Sequence, residues 1–116
     1  MSLKRMKTGK RMSQAVIRGK AVYLAGQVAD KTAGASVAEQ TAEILAAIDA
    51  LLDEAGSDKT KIMMATIYLA DISTFNEMNG EWDKWVVEGK TPARATVEAK
   101  LVAREYKVEI VVVATT

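Results

Sequence analysis

Arg94 and Glu109 each place a charge inside a segment whose remaining pattern is that of a β-strand. From Ala93 to Lys100, Ala93, Ala95, Val97 and Ala99 point one way and Arg94, Thr96, Glu98 and Lys100 the other, the period-two alternation of a strand. From Lys107 to Ala114 the chain is almost continuously apolar, as expected near the middle of a sheet, and Glu109 interrupts it. Two strands of one sheet can bring such residues close, and two readings of the pair are open. One is a buried ion pair, because partly buried charges find opposite partners. The other is chemical. A planar guanidinium holds a carboxylate through two parallel charge-assisted hydrogen bonds, and a nearby carboxylate can orient or deprotonate water. The imine carbon of a 2-imino acid is already electrophilic, so its hydrolysis needs positioning and modest general-base help.

The absence of Cys and His from all 116 residues removes many competing chemistries. A zinc site of the usual Cys/His kind, a Ser-His-Asp triad and a Cys-His pair are excluded, and disulfides are impossible. What remains is carboxylates, Arg, Lys, Tyr, hydroxyls and backbone amides, and no cofactor is expected. Net charge is +1, but Lys4, Arg5, Lys7, Lys10, Arg11, Arg18 and Lys20 precede the first acidic residue. Lysines commonly guard strand edges. No aromatic residue lies among those cations to stack a base, so nucleic-acid binding is a weak alternative. No apolar run approaches the roughly 20 residues that span a bilayer, and no signal-peptide core follows the basic start. A cytoplasmic protein with no membrane partner is expected.

The elements that must position Arg94 and Glu109 can be read along the chain. Gln14–Arg18 and Ala21–Ala25 form two extended runs joined by Gly19-Lys20, which suits a II′ hairpin, with Arg5–Thr8 as a candidate further strand. Residues 28–35 form a loop. Ser36-Val-Ala-Glu39 is a capping box, and Val37, Thr41, Ile44, Leu45, Ile48, Leu51, Leu52 and Ala55 recur at helical spacing up to Gly56. Glu39, Glu43 and Asp49 fall off that stripe, as solvated charges do. Ile62–Ala70 predicts a strand buried on both faces. Thr74-Phe-Asn-Glu77 is a second capping box, opening a helix with Phe75, Met78, Trp82 and Trp85-Val86 on its apolar stripe and an end near Gly89. The two tryptophans read as core or subunit-contact residues.

Residues 1–116 fit one domain with a single core, 49% of the chain being hydrophobic. Met1-Ser2-Leu3 is given no weight, as a start that an expression vector could supply. The elements predict a two-layer α+β domain, a five- or six-stranded mixed sheet with both helices on one face. The other face is too apolar in the last strand and too polar around Arg94 for plain solvent, which predicts association with other subunits.

The segment Thr91-Pro92-Ala93-Arg94-Ala95-Thr96-Val97-Glu98, followed by Lys107-Val108-Glu109-Ile110, resembles the C-terminal signature of the Rid/YjgF family of reactive-intermediate deaminases. Ser13-Gln14-Ala15-Val16, Leu24-Ala25-Gly26-Gln27-Val28, Ala55-Gly56-Ser57 and Met78-Asn79 are similar to its other recurrent segments, in the same order. The resemblance covers residues 10–114 and implies a chorismate-mutase-like fold, a homotrimer, and ligand clefts between neighbouring subunits. It implies hydrolysis of 2-imino or 2-enamino acids to 2-oxo acids and ammonia. In that activity Arg94 would hold the substrate carboxylate, Glu109 would serve the hydrolytic water, Gly26 would lend a backbone amide, and Asn79 would stand at the cleft. The chain departs from many active members at Met12, where a tyrosine is common, at Ala25, where serine is common, and at Thr96, where cysteine is common. Met12 reads as a core residue; if it lines the cleft it favours an apolar substrate side chain. Two alternatives remain: a non-catalytic trimer that binds small carboxylic acids or a protein, and an RNA-binding or ribonuclease role.

Overall fold

A computed structural model describes residues 2–116. Strands β1 (Leu3–Thr8), β2 (Ser13–Arg18) and β3 (Ala21–Leu24) run antiparallel in succession. Between β2 and β3, Gly19 has φ 58° while Lys20 stays at negative φ, as a II′ turn requires. A two-residue strand, β4 (Gln27–Val28), precedes α1 (Val37–Glu54). The Ser36 hydroxyl accepts from the Glu39 amide at 3.1 Å, as the expected N-cap, and donates to the Glu39 carboxylate at 3.2 Å, so that the return bond of the capping box goes to the hydroxyl and not to the Ser36 backbone amide. Gly56, at φ 81°, turns the chain out of the helix. Then follow β5 (Ile62–Leu69), α2 (Phe75–Trp85), β6 (Ala93–Glu98) and β7 (Val108–Thr115).

The sheet order is β1-β2-β3-β7-β5-β6, with β4 also on β7; β5 and β6 are parallel and the other pairs antiparallel. Both helices pack on one face, over Ala15, Val22, Leu24, Ala65, Ile67, Leu69 and the even-numbered residues from Val108 to Ala114. This is the expected two-layer α+β arrangement. The seventh strand, β4, is too short to leave a pattern in the sequence. Among the described residues no helix is long and apolar enough to cross a membrane.

Several expectations need correction. β5 is buried on its helix side, whereas Met64, Thr66 and Tyr68 on the other side are half-exposed in the single chain. Thr74 is no N-cap. A 3₁₀ turn at Ile72–Thr74 already winds the backbone there, so Thr74 donates its hydroxyl to the Asp71 carbonyl at 2.6 Å. Glu77 instead accepts from the Ala38 amide at 2.9 Å, tying α2 to the first turn of α1. α2 stops at Trp85, with Val86 extended, short of Gly89. Leu3, set aside in the sequence reading, pairs with Arg18 in β1.

The open sheet face is also not the one that carries Arg94. Ala65 lies opposite Arg94 in the β5–β6 register and is fully buried, so Arg94 and Thr96 point to the helix side. The uncovered face presents Val16, Tyr23, Met64, Thr66, Tyr68, Ala93, Ala95, Val97, Val111 and Val113, and is largely apolar.

Candidate active site

Arg94 sits on β6, an edge strand, beneath α2. Residues 75, 79 and 82 fall on one stripe of that helix, at the i, i+4, i+7 spacing of a single face. The Arg94 Nη1 donates to Asn79 Oδ1 at 2.7 Å. Its Cζ lies 5.6 Å from the Phe75 ring centroid and 5.2 Å from that of Trp82, within cation–π range of both. The side chain is half-buried, yet no carboxylate approaches it. Among the described residues the ion pairs are Lys7–Glu54, Lys61–Asp58 and Lys84–Glu81. Two residues along the same strand face, Thr96 Oγ1 is buried with no hydrogen-bond partner. A cation gripped only by neutral groups, beside an unsatisfied hydroxyl, is an arrangement that an anionic ligand with acceptor oxygens would complete.

Glu109 belongs to a second group. It faces the open side of β7, opposite Tyr68 on β5 and Val28 on β4. A shallow cavity of about 290 Å³ there is lined by Tyr68, Ala99, Lys100, Leu101, Val102, Glu109 and Val111. Gly26 lies against the Glu109 carboxylate, so closely that any Cβ would overlap Oε2. The turn that carries Gly26 is held by Gln27, whose amide donates to Gln14 Oε1 and to the Ala25 carbonyl, each at 3.0 Å. Met12 lies in the β1–β2 connection and is 50% exposed, so it is not a core residue in the single chain.

The expected pairing of Arg94 with Glu109 therefore does not occur within one chain. β5 lies between their strands, and their side chains leave opposite faces of the sheet. The buried ion pair is ruled out by the same geometry. The sequence-derived residues divide into Arg94, Asn79 and Thr96 on one face and Glu109 and Gly26 on the other. The part of Phe75 and Trp82 as ring partners of Arg94 was missed. Their helical spacing pointed to a packed stripe, and Trp82 is indeed buried, but only its position over β6 shows what the stripe packs on. The β6–β7 loop around Glu109 was missed as well, because its residues carry no motif.

Elsewhere the acidic residues of α1 serve the scaffold. Glu43 accepts from the amides of Lys31 and Thr32 at 3.1 and 2.8 Å and from the Thr32 hydroxyl at 2.7 Å, pinning the β4–α1 loop. Asp49 accepts from Trp85 Nε1 at 2.9 Å. They are surface residues, as expected, with structural partners.

Comparison with known proteins agrees with this architecture. The family model described as Endoribonuclease L-PSP matches residues 2–116. A RutC family protein of Haemophilus influenzae is 44% identical over 115 residues, covering 99% of each chain. The RutC family protein YoaB of Escherichia coli is 45% identical over 114 residues, covering 98% of each. A crystal structure of a YjgF family member from Neisseria meningitidis superposes with a TM-score of 0.96 at 45% identity, over 100% of this chain and 96% of that one. On a whole-chain match in both sequence and fold, the chain belongs to the RutC/YjgF/L-PSP family and has its α+β, chorismate-mutase-like fold.

Proposed function

We propose that the protein is a cytoplasmic, cofactor-free deaminase that hydrolyses reactive 2-imino and 2-enamino acids to 2-oxo acids and ammonia, working as a homotrimer with its sites between subunits. The observation that carries this reading is the half-buried Arg94, held by Asn79, Phe75 and Trp82 with no counter-ion. Four of its five N–H groups are left for a ligand, and two in parallel match a carboxylate. The division of the residues between opposite sheet faces supports the trimer. A single chain cannot close the site, whereas a neighbour that packs on the apolar face and reaches round the edge strand β6 would bring its own Glu109 to Arg94.

In such a cleft the substrate carboxylate lies on Arg94, and the imine carbon faces a water held by Glu109 of the neighbour. Glu109 takes a proton as the water oxygen bonds to carbon and the C=N π electrons move to nitrogen. The carbinolamine then collapses. Both water protons end on nitrogen: Glu109 hands over the first, then carries across the hydroxyl proton as the C=O bond forms and the C–N bond breaks, so that ammonia leaves and the 2-oxo acid remains. Thr96 Oγ1 can hydrogen-bond the carboxylate beside Arg94, and the Gly26 backbone lines the water side.

The test is the hydrolysis rate of 2-imino acids generated in situ by an amino-acid oxidase and trapped with semicarbazide. Acceleration by the wild type and its loss in folded Arg94→Ala is the expected result. Binding of a 2-oxo acid without turnover of any imine would leave a carboxylate-binding module. Affinity for RNA that falls steeply with salt would favour the nucleic-acid reading.

A further inference from the structure

Phe75 and Trp82 stand two turns apart on α2, roughly 10 Å along the helix axis, with Asn79 on the same stripe between them. The Arg94 Cζ is 5.2 Å from one ring centroid and 5.6 Å from the other, so the guanidinium spans the middle turn, where Asn79 Oδ1 takes one of its protons. Trp82 is 5% exposed and Phe75 37%, so one ring is fixed in the core and the other stands at the rim. All three contacts are neutral. An aspartate or glutamate in the same places would hold Arg94 as firmly but would neutralise it and compete with any incoming anion. Water would solvate it and leave it mobile, with several rotamers to lose on binding.

We propose that Phe75 and Trp82 are positioning residues that clamp the Arg94 guanidinium through their ring faces, leaving its charge unneutralised and its free N–H groups aimed for a carboxylate. This rests on reading Arg94 as the carboxylate anchor and adds what makes it selective for anions. The clamp acts on the carboxylate end of the ligand, which is the same in substrate and transition state. Its loss therefore raises KM and leaves kcat nearly unchanged. A purely structural role for the rings would instead lower the amount of folded protein without changing KM.

The protein contains two tryptophans, and Trp85→Phe leaves Trp82 as the sole tryptophan, excited selectively at wavelengths beyond the absorption of the three tyrosines. Titrating this variant with pyruvate, a simple 2-oxo acid, should change Trp82 emission saturably, and Arg94→Ala in the same background should abolish the change. In imine hydrolysis, Trp82→Leu and Phe75→Leu should each raise KM about 5-fold, whereas Trp82→Phe, which keeps a ring face, should stay within about 2-fold of wild type. If Trp82→Leu does not fold, the rim residue Phe75 decides. Unchanged KM in folded Phe75→Leu and Trp82→Leu overturns the clamp while leaving the anchor reading intact. Wild-type pyruvate binding and turnover in Arg94→Ala overturns the anchor reading, and the clamp with it.

Discussion

Replacing Gly26 by alanine puts a methyl group where Glu109 keeps its carboxylate. The new Cβ would lie 2.2 Å from Oε2, 3.0 Å from Cδ and 3.3 Å from Cγ of Glu109. Ordinary contact begins at 3.4 Å, so Oε2 must retreat by about 1.2 Å, the difference between 3.4 and 2.2 Å. The backbone offers no resistance, because Gly26 lies outside the positive-φ region, and alanine there narrows the unfolded ensemble. The clash falls on the end of a flexible side chain, so the fold should hold, with Tm within about 5 °C of wild type. Catalysis should suffer more: a misplacement of about 1 Å can cost on the order of 100-fold, and kcat/KM for imine hydrolysis should drop about 10- to 100-fold. Since the damage runs through Glu109, adding Gly26→Ala to Glu109→Gln should cost little further. A folded Gly26→Ala with wild-type kcat/KM, or full multiplication of the two effects in the double variant, would refute this reasoning.

Other outcomes follow from the same contacts. Asn79→Asp keeps the hydrogen bond to Arg94 but sets a carboxylate against the ligand's own, and should raise the pyruvate Kd at least about 10-fold, read by calorimetry at neutral pH. Ser36→Ala removes the α1 cap and should cost about 1 kcal/mol in chemical denaturation, with kcat/KM unchanged. At Glu43, partial burial pushes the carboxyl up, but the Thr32 hydroxyl, the Lys31 and Thr32 amides and the Lys31 charge outweigh it and hold it below its ordinary 4.5. A lowered folded value means that this stabilisation is complete above the unfolded value and is lost as pH falls through the folded one. Glu43→Gln should therefore lower Tm at pH 7, and the gap to wild type should narrow as pH drops below 4.5.

Local signals in the sequence were enough wherever a few neighbouring residues decide the conformation. The Ser36–Glu39 box and the Val37–Ala55 stripe defined α1, and Gly19 defined the hairpin. Thr74 failed because its capping signature competes with Asp71, three residues earlier, which nucleates its own turn. The relation of Arg94 to Glu109 was beyond local reading for a different reason. Alternation in β6 separates Arg94 and Thr96 from Ala93 and Ala95, but β7 is apolar on both sides, so its pattern does not say which side meets the helices. The polar stripe of β6 also suggested a wet face. Pairing through β5 reverses that expectation, putting Arg94 under α2 and Ala95 on the open side. The residue types needed for the chemistry were legible; the face each occupies depends on strand order and register, which a single sequence does not encode locally.

The central claim is that each site joins Arg94 of one subunit to Glu109 of the next, and subunit mixing tests it most directly. Arg94→Ala and Glu109→Gln should each keep only residual activity alone. Unfolded together at equal amounts and refolded, they should form mixed trimers with about one intact site in three, so that over the whole population, unmixed trimers included, an intact Arg94 meets an intact Glu109 at about one site in four. Recovery of about one quarter of wild-type imine hydrolysis is the predicted result. Trimers that mix, shown by mass spectrometry of differently labelled chains, yet stay at that residual level would contradict it.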